Sequence, residues 1–166
     1  MSRINVPEID GLLRNHMIKL PDEIRYASGI KVFGKKIKSF VFTTDVAIIR
    51  NTNADAVIAV YPFTPQPIIT QGLVLTSGIP VFCGVGGGIT TGRRVINLAL
   101  DAEFKGAMGV VVNSPITNEV IKQMRGTIDI PIIVTIVSEF EDFESRIKAG
   151  ATIFKCIWSK ENCRYS

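Results

Sequence analysis

One histidine and three cysteines are all that 166 residues offer by way of soft or switchable chemistry. That scarcity excludes several readings at once. His16 stands in the lead-in to the strand-rich part, so a Ser-His-Asp triad would have to recruit it from outside. Cys83, Cys156 and Cys163 show no metal-ligand spacing, so no metal site is expected. Unpaired thiols fit a reducing, cytoplasmic setting. No apolar run approaches the ~20 residues a membrane helix needs, and the N-terminus MSRINVPEID lacks a signal-peptide core. No GxGxxG follows the first strong strand, so the usual dinucleotide site has no support and no cofactor is expected. The formal charge of +4 would suit nucleic acid, but the cations are scattered. Their densest group, Lys31, Lys35, Lys36 and Lys38, has only Phe33 among it and reads as a solvated face. Neither nucleic acid nor a membrane is expected as a partner.

What the chain does have is one alternation, repeated. Apolar, β-branched runs occur at Ile37–Thr44, Ala56–Phe63, Pro80–Val85, Gly109–Asn113, Ile130–Val137 and Thr152–Ile157. Most are apolar at successive positions, as in strands buried on both faces, which implies a parallel sheet covered by helices. Helical segments lie between them at Val46–Asn53, Pro67–Thr76, Thr91–Phe104, Thr117–Arg125 and Phe140–Lys148. Gly78, Gly106 and Gly150 each stand after a helix and before a strand, as C-cap glycines do. The expected organisation is a lead-in over 1–30, a βα array over 31–157 and an aberrant tail over 158–166. Strands alternating with helices allow either an open doubly wound sheet or part of a closed eight-strand barrel.

A resemblance decides between these. The stretches KVFGKKIKSFVFTTDVAIIRNTNADAVIAVYPFTPQP, PVFCGVGGGITTGRRVINLALDAEFKGAMGVVVN and IDIPIIVTIVSEFEDFESRIKAGA resemble a bacterial family of barrel proteins labelled only "hydrolase". The resemblance runs from about Pro7 to Phe154. It implies an α/β fold, an incomplete (β/α)8 TIM barrel of about six parallel βα units. It also implies kinship with phosphate-binding barrels such as thiazole synthase and indole-glycerol-phosphate synthase. The substrate it implies is a small, phosphorylated metabolite.

The tail departs from that family, whose members continue with an Asn-Val-Ser-Gly segment and two more βα units. A back-translation of Lys155–Ser166 read one base later gives NVSGAKKIADI, a strand end and the start of an amphipathic helix. A frameshift at or just before Lys155 is therefore expected, and with it a truncated, inactive product. Unpaired strand edges make a homo-oligomer the expected assembly.

In a parallel barrel the active site gathers where the strands end. That rule selects Asp45, Asn113 and Thr135 as catalytic candidates. It selects Thr44, Tyr61, Gly86, Gly87 and Gly88 as substrate-binding candidates. Asp45 is either a general base, metal ligand or hydroxyl anchor, or the N-cap of the next helix. Asn113 either bonds a carbonyl or amide, or is a turn residue before Pro115. The three glycines open backbone N–H groups to an anion near a helix N-terminus, or make a flexible turn. Arg93 and Arg94 assist a phosphate there or are solvated. Tyr61 and the prolines after it shape a wall. Cys83 reads as a buried packing residue. Glu139, Glu141, Asp142 and Glu144 read as solvated and complementary to a helix dipole.

Overall fold

The alternation of outward and inward side chains explains why these strands are apolar at every position. The computed structural model describes residues 16–157, together with positions 7, 9 and 11. Its main sheet holds β3 (Phe40–Phe42), β4 (Ala56–Ala59), β5 (Val81–Gly86), β6 (Gly109–Val112), β7 (Ile132–Ile136) and β8 (Ile153–Cys156). Five crossover helices join them: α1 (Val46–Arg50), α2 (Pro67–Thr76), α3 (Arg93–Phe104), α4 (Asn118–Arg125) and α5 (Phe143–Ala149). On one face Val57, Cys83, Val110 and Val134 pack among helix residues such as Val95, Ala99, Ile121 and Met124. On the other, Ala56, Ile58, Phe82, Val111 and Ile133 form a separate core. Both faces are buried, so both parities must be apolar.

Each strand pairs in parallel with the next, and the order β3-β4-β5-β6-β7-β8 never reverses. A doubly wound sheet has a point where the order turns back. This sheet has none and curls one way, so the architecture is an incomplete (β/α)8 barrel. Its inner layer mixes large and small residues. The ring of Phe82 occupies the space over Gly109, where an added Cβ would sit 2.7 Å from Phe82 Cδ1. Phe40 meets the same ring edge-on at 5.4 Å between centroids.

The bottom of the bowl is closed by a hairpin, β1 (Ile30–Val32) and β2 (Lys35–Ile37). Its turn residues Phe33 and Gly34 have φ of 44° and 80°, the double positive φ of a tight hairpin turn. Val32 and Ile37 are buried in the inner core, while Lys31, Lys35 and Lys36 remain exposed. The run read as one strand over Ile37–Thr44 is therefore two. Asp55 accepts the amides of Lys38 (2.7 Å) and Ser39 (3.2 Å), and Ser39 Oγ accepts the amide of Asp55 (2.9 Å). That reciprocal pair breaks the chain between β2 and β3.

The glycines expected at helix ends differ. Gly150 and Gly106 have φ of 117° and 89°, whereas Gly78 is not left-handed and faces the Arg50 guanidinium at 3.0 Å from a notional Cβ. Helix α2 ends instead at Ser77 in an extended conformation. The tail over 158–166 lies outside the described residues. No helix among the described residues is long and apolar enough to cross a membrane.

Candidate functional site at the strand ends

Because all six strands run the same way, their C-terminal ends share one rim, opposite the hairpin. A cleft of about 200 Å³ opens there, across the ends of β4, β5 and β6. Val60, Tyr61, Gly84, Gly86, Gly88 and Asn113 are among its walls. Phe63 and Pro65 form the outer lip.

The glycines are there for close approach. Asn113 donates its amide to Gly86 O at 2.9 Å, and Gly87 donates to Thr90 O at 2.8 Å. A Cβ on Gly87 would lie 2.8 Å from Asn113 N, and Gly87 has a φ of +96°. A Cβ on Gly86 would lie 2.8 Å from Thr90 O, with a φ of +125°. Only glycine serves at either position. Gly88 is different, having room, with Asn113 Nδ2 3.4 Å from its notional Cβ. The loop thus folds against the end of β6 and sets Gly88 beside the Asn113 carboxamide.

Of the residues singled out by sequence, Tyr61, Gly86, Gly88 and Asn113 line this cleft; Thr44, Asp45, Gly87 and Thr135 do not. Asp45 Oδ1 accepts the amides of Ala47 (2.7 Å) and Ile48 (3.3 Å). Its carboxylate caps α1, the local alternative to a catalytic role. The Tyr61 hydroxyl accepts the amide of Gln66 at 2.7 Å, pinning the start of α2. Gly87 is buried, and Thr135, level with Asn113 on the neighbouring strand β7, is 5% exposed. Arg93 and Arg94 are exposed at the start of α3. Cys83 points into the helix-facing core. Burial pushes its thiol up to about 12, so it carries no thiolate at neutral pH.

Two side chains escaped the sequence reading. Arg146 of α5 bonds Glu141 through Nη2 at 2.6 Å, Ser114 O at 3.0 Å, Asn118 Oδ1 at 3.0 Å, and Ile116 O. Glu141 is therefore not solvated as expected: the pair is 12% and 16% exposed. This clamp holds the loop that follows Asn113. Asp142 does cap its helix, through Ser145 N at 3.0 Å. That bond holds its carboxyl below the usual range. The second is Lys155, paired with Thr135 in the β7–β8 register. Its Nζ lies 5.7 Å from the centroid of the Phe42 ring, across the bowl on β3. The local signal for Arg146 was a basic residue one turn into a helix opened by acids. Lys155 carried no local signal, because only the register shows which way it faces.

No protein-family model matches the sequence, and a search of curated proteins finds no match. Solved structures do match in fold. A candidate phosphonomutase from Burkholderia cenocepacia is 13% identical with a TM-score of 0.54, over 72% of this chain and 56% of that one. A candidate dihydrodipicolinate synthetase from Pseudomonas aeruginosa is 16% identical with a TM-score of 0.50, over 63% and 44%. The chain spans about half the length of these structures.

Proposed function

We propose that this chain supplies substrate-binding walls of a TIM-barrel enzyme that acts on a small, phosphorylated metabolite. The observation that carries the reading is the strand-end cleft, where the Asn113 carboxamide faces the backbone of Gly88. The amides of Gly88 and Ile89 have no internal acceptor among the described residues. Exposed N–H groups in a glycine-opened turn, beside an amide side chain, suit phosphate oxygens. Hydrolysis is the reaction suggested by the family resemblance. The cleft itself is lined by no carboxylate, histidine or thiol among the described residues, and the one acidic hydroxyl on its wall, that of Tyr61, is engaged by the Gln66 amide, so it offers binding groups before acid–base ones. That supports a 166-residue product that binds without turnover. In this proposal residues 31–157 form the partial barrel unit, after a lead-in over 1–30 and before a tail over 158–166 whose sequence is aberrant for the family. The setting is the cytoplasm, with Cys83 and Cys156 as free thiols.

A second reading, a non-catalytic homo-oligomer, is favoured by one observation. The residues of β3 and β8 are half-buried or exposed, whereas those of β4 and β7 are fully buried. Titration with glycerol phosphate, followed by amide NMR, separates the two. Saturable shifts at Gly86–Gly88 and Asn113, weakened about tenfold or more in Asn113→Ala, support the binding site. Unchanged spectra at saturation in a self-associated chain would establish the second reading.

A further inference from the structure

We propose that Asn113, Thr135 and Lys155 form an oxyanion-binding tier on the inner wall of the bowl, taking a carboxylate or phosphate group of the bound metabolite. The proposal rests on the strand-end reading above and deepens it by naming where an anionic group of the ligand sits.

Parity places all three on the inner face. Val111, Ile133 and Ile153 belong to the inner core or pack against it. Asn113, Thr135 and Lys155 each stand two residues further along their strand direction, and side chains two apart share a face. Register places them at one height. Val112 pairs with Val134, and Thr135 pairs with Lys155, so the next step past Val112 brings Asn113 beside Thr135. Three successive strands thus present a carboxamide, a hydroxyl and an amine in one row, just past the apolar layer; the amine is a feature of this chain, since the family resemblance implies an asparagine where Lys155 stands.

These groups are donors without acceptors. Thr135 Oγ1 is buried and has no hydrogen-bond partner, and a buried polar atom left unpaired is costly. Lys155 makes no ion pair among the described residues. Its amine faces the Phe42 ring instead, and a ring face attracts a cation without neutralising it. Asn113 makes no side-chain hydrogen bond among the described residues, and its amide nitrogen faces the cleft at Gly88. An oxyanion is the ligand that accepts from an amine, a hydroxyl and an amide together. Burial holds the Lys155 amine below the ordinary lysine range. An anion within reach favours the charged form and moves it back up.

The test uses the full chain with lysine labelled at Cε and Nζ. The Lys155 signal, assigned with Lys155→Met, is titrated with pH in sodium chloride, then with acetate or inorganic phosphate added. The expected result is a saturable rise in the Lys155 titration midpoint with at least one anion. Thr135→Val, checked for an unchanged amide spectrum, should weaken that anion by about tenfold. The anion that binds more tightly identifies a carboxylate or a phosphate as the group recognised. If neither anion moves Lys155 while phosphate shifts the Gly88 and Ile89 amides, the tier is refuted and the cleft reading stands. If neither anion perturbs either place, both are refuted.

Discussion

Arg146 holds the loop after β6 by its backbone as well as by its side chains, and so fixes the direction from which Asn113 enters the cleft. Removing one partner of a nearly buried ion pair leaves the other charge unpaired, at a cost of about 3–5 kcal/mol. Arg146→Ala should therefore lower stability by about 3 kcal/mol in urea melts. Arg146→Lys should recover little of that, because a single ammonium cannot span the carbonyls and the carboxylate together. A loss below ~1 kcal/mol would show that the clamp is incidental. Cys83 makes a second prediction at this scale. Its folded thiol titrates near 12, against an ordinary value of 9.0. The folded state keeps the proton while the unfolded state loses it. The stabilisation is thus fully present below pH 9.0 and is lost as pH rises toward 12. Cys83→Ala should flatten that part of the pH–stability curve, and peptide mapping after alkylation of native protein should find Cys83 unmodified. The same scale shows what was legible. Asp45 and Asn113 carry like signals, a short polar side chain where a strand gives way to a helix or turn. Local chemistry cannot separate a cap from a ligand group; the hydrogen bonds to Ala47 and Ile48 do.

At the scale of elements, five helices lie within a few residues of their expected spans, because capping and turn chemistry are local. Except for β5, which equals its run in length, the strands are shorter than their apolar runs. Ala56–Phe63 pairs only through Ala59, since Pro62 offers no N–H and Tyr61 turns its hydroxyl to Gln66. The hairpin was invisible, because a type of turn with positive φ at a phenylalanine has no sequence signature. The glycine loop after β5 supplies a sharp contrast between neighbours. Gly87→Ala places a Cβ against the Asn113 backbone at a φ of +96°, a strain of about 1–3 kcal/mol. It should lower the melting point and displace Asn113, weakening ligand binding at the cleft. Gly88→Ala meets only the end of the Asn113 side chain, at 3.4 Å, and should change stability by no more than ~0.5 kcal/mol. Equal effects of the two substitutions would mean that the loop does not lean on β6 as described.

For the whole molecule, the controlling feature is that β3 and β8 each pair on one side only among the described residues. Central strands are sealed between helices and inner core; these two are not. Phe42 is 60% exposed at the end of β3, and Ile157 is 54% exposed just past β8. The edges present unpaired N–H and C=O groups beside apolar side chains, the composition that adds strands from neighbours. The inner layer is open on the same side, between Ile153 and Phe40. Apolar surface left in water costs about 25 cal/mol per Å2, while the net stability of a domain is about 5–15 kcal/mol. A few hundred Å2 of such surface is on the order of the whole margin. Pairing edge to edge between copies removes that surface and satisfies the free backbone groups at once. The purified 166-residue chain should therefore elute as an oligomer or bind hydrophobic dyes as a loosely packed state. Size-exclusion with light scattering decides between this and a complete six-strand unit. A compact monomer with a sharp, cooperative melt would show that hairpin and helices alone seal the sheet. Charge placed on the edge gives an independent check. Phe42→Lys, together with Ile157→Lys, both at exposed edge positions, should shift an edge-paired oligomer toward monomer, because like charges repel across a strand pair. An oligomer unmoved by these changes would have its interface on the helical face instead, where Ile68, Leu75 and Phe104 stand exposed.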